Sequence, residues 1–205
     1  MYEKGLGAEQ DYTAAVTWIR KAAEQGSMRA QHRLGAIYEK GQGVEQDYTE
    51  ATTWYRKAAD QGDTKSQTAL GLIYAAGQGL PQNYDKALKW IRMAAEQGDA
   101  KGQTALGEMY REGLGVTQSN EEALKWYREA AEQGDAGAQS NLGWMYHNIQ
   151  GATQDYSEAM TWYRKAAEQG HADSQYNLGT MYYTGEEVTR DYNEALTWYR
   201  KAAAQ

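Results

Sequence analysis

The chain has 205 residues, a formal net charge of −7 and no cysteine. The acidic charge and the lack of a cluster of lysine and arginine argue against nucleic-acid binding, which needs a basic surface to meet the phosphates. The lack of cysteine excludes disulfides and thiolate chemistry, and no apolar run approaches the ~20 residues of a membrane-spanning helix.

One tryptophan recurs every 36 residues along the whole chain, at Trp18, Trp54, Trp90, Trp126, Trp162 and Trp198. A Leu-Gly pair and a tyrosine recur at the same interval, without insertion or deletion. A fixed period of this length is typical of proteins built from stacked supersecondary repeats. The sequence therefore predicts a single array over 1–205. It consists of a partial repeat at 1–28, followed by repeats at 29–64, 65–100, 101–136, 137–172 and 173–205.

The predicted elements alternate along the chain, beginning with a helix of type B at 11–25 and continuing with helices A and B in each later repeat. Within residues 63–98, Asp63 is positioned to cap helix A and Asn83 to cap helix B. Gly77 and Gly79 allow the positive φ of the turn between these two helices. Residues spaced by three and four predict one buried stripe on each helix. The stripes are Ser66, Leu70, Ile73 and Tyr74 in helix A, and Tyr84, Ala87, Trp90, Ile91, Ala94 and Ala95 in helix B. About eleven helices are expected, six of type B and five of type A.

Two sequence details predict specific contacts. Gly71 and its equivalents lie inside helix A, where glycine costs about 1 kcal/mol relative to alanine. This cost predicts a close helix approach, which we expect against alanine pairs such as Ala58-Ala59. At the start of helix B, Asp47 and Glu50 have the spacing of a capping box, in which each residue satisfies a backbone N–H near the other.

The repeated glutamines and arginines are interpreted as structural. We expect the glutamines to bond loop carbonyls and the arginines to pair with the acid four residues on, as Arg56 with Asp60. The two sets are Gln31, Gln67, Gln103, Gln139 and Gln175, and Arg20, Arg56, Arg92, Arg128, Arg164 and Arg200.

Residues 30–62 contain the pattern A-x-x-x-L-G-x-x-Y-x-x-G-x-G-V-x-x-D-Y-x-x-A-x-x-W-x-x-x-A-A-x-x-G. With this pattern, the chain resembles the Sel1-like repeat family over essentially its full length. The resemblance implies an all-α fold, a right-handed α/α superhelix (solenoid) of 36-residue helix-turn-helix repeats, with helices A lining the concave groove. It also implies bacterial adaptor or scaffold roles through protein–protein contacts. The chain departs from the family pattern at Asn120, Ile149 and Glu187.

The sequence carries no motif that predicts catalysis, a cofactor or a metal. Its three histidines lie at 32, 147 and 171, and no Gly-rich phosphate loop or HExxH motif occurs. A β-lactam hydrolase is the weakest alternative, because no serine has a lysine three residues on, as an S-x-x-K nucleophile requires. We therefore expect a non-enzymatic protein.

Function is expected at positions of helix A that vary between repeats and lie opposite the buried stripe. These positions define the variable face, which consists of His32, Ala36 and Glu39; Thr68, Leu72 and Ala75; Thr104, Glu108 and Arg111; Ser140, Trp144 and His147; and Tyr176, Thr180 and Tyr183. Trp144 is an additional tryptophan, because the repeating tryptophan of its repeat is Trp162. The predicted partner-binding residues are Trp144, His147, Tyr176, Tyr183, Glu108, Arg111, Leu72 and His32. The alternative for Trp144 is extra packing over a neighbouring helix.

The favoured function is a scaffold or adaptor that binds a protein or peptide segment in the groove, since aromatic side chains are enriched at interface anchors. The alternative is a bacterial envelope module that binds glycan or peptidoglycan, with Trp144, Tyr176 and Tyr183 as stacking platforms. Self-association through uncapped array ends is a further expectation, because the final helix keeps an interior apolar pattern. A periplasmic or secreted location would follow if an upstream export signal had been removed.

Overall fold

A computed structural model describes residues 12–148, 155–186 and 188–204. These residues form eleven α-helices, and no strand occurs among them. The helices are α1 (Tyr12–Glu24), α2 (Met28–Lys40), α3 (Tyr48–Ala59), α4 (Thr64–Ala76), α5 (Tyr84–Glu96), α6 (Ala100–Glu112), α7 (Asn120–Glu132), α8 (Ala136–Asn148), α9 (Tyr156–Glu168), α10 (Ala172–Thr184) and α11 (Tyr192–Ala203). Even-numbered helices are of type A and odd-numbered ones of type B. The predicted all-α fold is confirmed, while Ile149 and Glu187 lie outside the described residues.

The chain forms two compact units that divide within the 101–136 repeat. The first extends to Met109 and includes Gly113–Thr117, and the second contains Tyr110–Glu112 and the chain from Gln118 onward. Within each unit, a helix A packs against the helix B that follows it, as α4 does against α5 and α8 against α9. The units thus contain the predicted helix pairs α2–α3, α4–α5, α8–α9 and α10–α11.

The predicted helix caps are confirmed. A side-chain oxygen of Asp63 accepts a hydrogen bond from the Ser66 N–H at 2.8 Å, and Asn83 does the same for Lys86 at 2.9 Å. Gly77 ends α4 with φ of +68°, a left-handed conformation that glycine adopts without steric cost. These caps explain why every repeat restarts its helices at the same positions.

The predicted hydrogen bond from the Asp47 backbone N–H to the Glu50 side chain is wrong. Asp47 caps α3 by accepting from the N–H groups of Thr49 and Glu50, as predicted. Glu50, however, accepts from the indole N–H of Trp54 at 3.0 Å. The backbone N–H of Asp47 already donates to the Tyr38 carbonyl at 3.0 Å, so this N–H does not need the Glu50 carboxylate as an acceptor. The glutamate one turn earlier thus accepts from this indole N–H, as Glu158 does for Trp162 at 3.0 Å.

The core consists of the predicted stripes. The leucine of each Leu-Gly pair is fully buried, and Trp54, Trp90, Trp162 and Trp198 are each less than one-tenth exposed. Trp126 is half-buried. Trp18, in α1, is 64% exposed, so it differs from the repeating tryptophans of the later helices.

The glycine of the Leu-Gly pair permits close helix approach, but its partner differs from the predicted alanine pair. A Cβ built on Gly143 would lie 2.8 Å from Cδ1 of Tyr163, and one on Gly71 would overlap the Ile91 side chain. The contact is made one helical turn before the alanine pair, on helix B of the same repeat. Gly102, at the start of α6, is the glycine that meets an alanine of such a pair, with 2.9 Å between its built Cβ and Cβ of Ala94.

We expect Gly143→Ala to destabilise the protein by about 1–3 kcal/mol, because the added methyl group overlaps the fully buried ring of Tyr163. Gly137→Ala, in the same helix, is the matched control, since its Cβ would meet only the Asp135 carboxylate, at 3.3 Å. There the higher helix propensity of alanine should leave stability unchanged or raise it by up to about 1 kcal/mol. Denaturant unfolding followed by circular dichroism measures both variants. Equal effects at the two positions would contradict the close-approach role of Gly143.

The repeated glutamines and arginines are structural, as interpreted. The Gln67 amide donates to the Ala59 carbonyl at 3.2 Å, near the end of the preceding helix, and accepts from Gln97 at 2.8 Å. The predicted pairing of Arg56 with Asp60 is wrong, because Arg56 donates to the Tyr74 hydroxyl of the next helix A. Both side chains therefore join consecutive helices, which explains their recurrence at the repeat period.

Candidate interaction face

In the first compact unit, some residues of the variable face are exposed, and others contact the helices that follow. Leu72 is 45% exposed and Glu108 is exposed. His32, in contrast, is half-buried, and its Nδ1 lies 2.8 Å from Ser66 Oγ. Thr68, one repeat later, donates to the Asp99 carboxylate at 2.9 Å. His32 and Thr68 therefore each contact the start of the helix A that follows, because Ser66 lies in α4 and Asp99 caps α6.

Ser66, His32 and Asp63 are brought together, but their geometry is not that of a catalytic triad. A relay needs serine at one ring nitrogen of histidine and the acid at the other. Here the same Nδ1 faces both Ser66 Oγ at 2.8 Å and Asp63 Oδ2 at 3.1 Å. Ser66 is also fully buried, so a substrate has no access to its hydroxyl. The cluster is explained by packing between two repeats.

Near the end of helix A, residues of the variable face lie beside the buried tyrosines of helix B. Glu39 accepts from the Tyr55 hydroxyl at 2.5 Å. Burial raises the pKa of Tyr55 well above its ordinary value, and the neighbouring Glu39 carboxylate raises it further because it opposes a second negative charge. Burial likewise raises the pKa of Tyr163, in the second compact unit. These tyrosines are held in their neutral form by their surroundings.

Trp144 lies on the exposed side of α8 in the second compact unit. The Arg111 guanidinium carbon lies 5.3 Å from the centroid of its ring, within cation–π range. Arg111 is itself positioned by Glu112, at 2.8 Å, and by the Tyr127 hydroxyl, at 3.4 Å. Trp144 remains 42% exposed. The ring therefore packs over one charged side chain and keeps a large apolar area in contact with solvent.

His147 is less accessible than Trp144. Its Nε2 lies 2.9 Å from a carboxylate oxygen of Glu186, and its ring meets the Tyr156 ring edge-on with centroids 5.2 Å apart. Its side chain is 29% exposed. His147 thus joins α8 to the residues that follow α10, within the second compact unit.

The last repeat carries two pairs of tyrosines between α10 and α11, in which Tyr176, Tyr183 and Tyr192 are exposed and Tyr199 is half-buried. Tyr176 pairs with Tyr199, and Tyr183 with Tyr192, each with ring centroids 5.4 Å apart. A cleft of about 510 Å³ borders the first pair and is lined by Ala172, Asp173, Tyr176, Tyr199, Ala202 and Ala203. We call the four rings, Tyr176, Tyr183, Tyr192 and Tyr199, the tyrosine groove.

Sequence reasoning placed Tyr176 and Tyr183 on the variable face but assigned Tyr192 and Tyr199 to an interior pattern. The repeat period could have predicted which residues pair across the two helices. Position 55 follows position 32 by 23 residues, and Tyr199 follows Tyr176 by the same interval. The ring contact between His32 and Tyr55, with centroids 5.6 Å apart, shows that residues at this interval meet across the helix pair.

Two further observations limit the chemistry of the described residues. No group of three or more His, Asp or Glu side chains among them could hold a metal ion. Within the same ranges, every helix is too short or too polar to cross a membrane.

His171, which replaces the usual Ser or Asp, caps α10 by accepting from the Ser174 N–H at 3.3 Å, so its role there is structural.

Comparison with protein families finds six consecutive matches to the Sel1 repeat. The matches cover residues 1–27, 29–63, 64–99, 100–135, 136–171 and 172–205. Together they include nearly the whole chain. No significant match is found among curated proteins.

Solved structures agree with this family match. A Sel1 repeat protein from Oxalobacter formigenes is 36% identical with a TM-score of 0.92, covering 100% of this chain and 84% of that one. A protective antigen of uropathogenic Escherichia coli strains, which displays the same repeat fold, is 40% identical with a TM-score of 0.82. The alignment covers all of this chain but only 44% of the antigen. An immunity protein from Pseudomonas aeruginosa shares the fold at 23% identity, with a TM-score of 0.65, over 99% of this chain and 80% of that one.

Proposed function

The chain belongs to the Sel1 repeat family, and on this basis we propose that it is a non-catalytic interaction module that binds a protein or peptide segment on the variable face of its second compact unit. Sel1 repeat proteins generally act as protein-interaction scaffolds, and the helical repeat fold of this chain is theirs. Trp144 carries the more specific proposal.

Trp144 has the properties of an interface anchor. It is 42% exposed, although other repeats place Ala36, Leu72, Glu108 or Thr180 at its position, so the fold does not require an indole there. Arg111 lies against one side of the ring and is held by Glu112 and Tyr127. Tryptophan and arginine are enriched among the residues that dominate binding energy. Their positioning before a partner arrives lowers the entropy lost on binding.

The exposed rings support a protein segment better than a glycan. Sugar rings stack on flat, open aromatic faces, whereas Arg111 lies over the ring of Trp144. The rings of Tyr176 and Tyr183 are inclined to their partner tyrosines by 44° and 61°, which leaves edges and hydroxyl groups beside the faces. Such mixed surfaces suit main-chain and side-chain groups of a polypeptide.

The proposal of a non-catalytic role rests on the serines and histidines. No serine begins an S-x-x-K motif. Ser66 and Ser174 are fully buried, and the nearby histidines serve packing and helix capping. The second compact unit offers exposed aromatic rings and a fixed cation, which serve recognition rather than bond cleavage.

We expect Trp144→Ala to weaken the binding of a segment selected from a random peptide library by about 30-fold. This corresponds to the ~2 kcal/mol of an interface hot spot. The same change should reduce the free energy of unfolding by less than about 1 kcal/mol, because other repeats hold alanine, leucine, glutamate or threonine at this position. Titration calorimetry measures the first effect and denaturant unfolding the second.

Trp18→Ala is the matched control, since Trp18 is also an exposed tryptophan beside a cation, with Lys21 Nζ 4.6 Å from its ring, but lies outside the variable face. It should leave the affinity unchanged. Equal affinities of wild type and Trp144→Ala would contradict the anchor role of Trp144. A cooperative loss of folding in Trp144→Ala would show that the residue contributes to packing instead.

A further inference from the structure

We propose that the first compact unit binds an acidic amphipathic helix of a partner protein, laid across α2, α4 and α6. The contacting residues are Arg29, Lys65 and Lys101, which we call the basic row, together with the exposed Leu72. The inference goes beyond the proposed function, because it concerns the other compact unit and a different kind of surface.

The basic row occupies the same position in three successive helices A. Each member is the second residue of its helix, and consecutive members are 36 residues apart, so the sequence alone shows no cluster of cations. All three are exposed, and none forms an ion pair with any described residue. The three helices are neighbours, since His32 of α2 contacts Ser66 of α4, and Thr68 of α4 contacts the cap of α6. Folding therefore brings the three cations together on one side of the unit.

Stability does not explain the basic row. The N-terminus of a helix carries a partial positive charge, so lysine or arginine in the first turn is disfavoured. The equivalent positions of the next two repeats hold Gly137 and Asp173, so the fold needs no cation there. Residues that break a local preference without a compensating contact are expected at functional sites. The basic row thus points to a negatively charged ligand.

An exposed leucine lies on the same side of α4 as Lys65. Leu72 follows Lys65 by seven residues, which places it on the same face about 10.5 Å further along the axis, at 1.5 Å per residue. It is 45% exposed, although α4 has a helix A on either side, α2 and α6. An apolar side chain beside a row of cations suits a ligand that is acidic along one edge and apolar along the next.

The dimensions of this surface favour an α-helical ligand. Packed helices lie about 8–10 Å apart, which sets the spacing of the basic row. Glutamates seven residues apart on an α-helix lie on one face about 10.5 Å apart, so one glutamate can meet each cation. With its side chains the ligand helix is about 10–12 Å wide, so it reaches from Lys65 to Leu72. Side chains on one side of an extended strand are only about 7 Å apart, which fits the row less well.

The acidic groups near the basic row favour a protein over a nucleic acid. Glu108 is exposed seven residues after Lys101, on the same face of α6. The carboxylates of Asp63 and Asp99 cap α4 and α6, two residues before members of the row. A nucleic acid carries a charge on every phosphate and would meet these carboxylates as well as the cations. A protein helix can place glutamates against the row and a neutral or basic residue against Glu108.

The probe is a synthetic helical peptide of about twenty residues, with three glutamates seven residues apart and a leucine on the adjoining face. In titration calorimetry, it should bind at least about tenfold more tightly than the same peptide with glutamine in place of glutamate, and added salt should weaken it. Lys65→Gln and Lys101→Gln should each weaken binding about threefold, the scale of exposed charge pairs. The triple variant Arg29→Gln/Lys65→Gln/Lys101→Gln should weaken it about 30-fold if the three contacts add. Leu72→Ala should weaken the leucine peptide about fivefold and leave a version with alanine there unchanged.

Lys89→Gln is the matched control, because it removes the same charge from an exposed lysine of α5, a helix B of the same compact unit. It should leave the affinity unchanged. An exchange of charges adds a readout that a structural role would not move. Lys65→Glu should weaken the glutamate peptide about tenfold and bind more tightly than wild type to a peptide with lysine as the central charged residue. Circular dichroism of each variant verifies that the helices remain folded.

Several results would overturn the inference. One is equal binding of the glutamate and glutamine peptides, and another is a triple variant that binds as well as Lys89→Gln. A single-stranded oligonucleotide that binds more tightly than the peptide, and that the same variants weaken, would assign the basic row to nucleic acid. Loss of peptide affinity in Trp144→Ala would place the binding site in the second compact unit. Failure of the library-segment test of Trp144 would end the proposed function and leave this inference in place, since the two tests use different peptides and different residues.

Discussion

Replacing Trp90 by alanine is expected to lower the free energy of unfolding by about 3–5 kcal/mol, the range for truncation of a buried large aromatic side chain. Trp90 is only 7% exposed and lies among Ile91, Ala87 and Ala94, which are almost completely buried. Burial of an indole of roughly 200 Å² stabilises the fold by up to about 5 kcal/mol at 25 cal/mol per Å². Denaturant unfolding monitored by circular dichroism measures the loss.

Lys65→Ala is the appropriate control for Trp90→Ala. Lys65 is exposed in the same compact unit, so its truncation should change stability by less than about 0.5 kcal/mol. Lys89, beside the tryptophan, is less suitable because its Nζ lies 5.2 Å from the centroid of the Trp90 ring. Equal stability of Trp90→Ala and Lys65→Ala would contradict the assignment of the repeating tryptophan to the core.

The fold could be predicted because each element has its own local signal. Asp63, Asn83 and Gly77 act on backbone groups within a few residues, and their caps were predicted correctly. The partners of polar side chains were predicted less accurately. Glu50 bonds to Trp54 in its own helix, and Arg56 bonds to Tyr74 in the next helix A. Sequence spacing gives the neighbours along one helix, whereas the preferred partner depends on which buried polar groups remain unsatisfied.

The candidate site shows the same limit. The variable face could be derived from the helical period, and Trp144 is exposed on it as expected. The sequence did not predict that Glu186 would contact His147, because these residues are 39 apart and lie in different repeats. It also did not predict that Tyr192 and Tyr199 would complete the tyrosine groove. The first contact joins neighbouring repeats and the second joins the two helices of one repeat, and both depend on side-chain directions that a period alone does not specify.

The two buried tyrosines with raised pKa values predict a loss of stability in alkaline solution. An unfolded tyrosine releases its proton near pH 10. Tyr55 and Tyr163 keep theirs to higher pH in the folded protein, because burial disfavours the charged phenolate. Above pH 10 the unfolded chain therefore binds fewer protons than the folded chain, and rising pH favours unfolding. Below pH 10 the two states hold the same protons at these sites, and their contribution is fully present.

Above pH 10, we expect each of these tyrosines to remove up to about 1.4 kcal/mol of stability per pH unit. Tyr55→Phe and Tyr163→Phe should each reduce the slope of unfolding free energy against pH, since phenylalanine has no proton to release. Tyr176→Phe, which removes the hydroxyl of an exposed ring, is the matched control. Denaturant unfolding between pH 9 and pH 11.5, compared between each variant and wild type, separates this effect from the titration of lysines. A wild-type slope that both buried-site variants retain would show that burial of Tyr55 and Tyr163 does not control the alkaline limit of the fold.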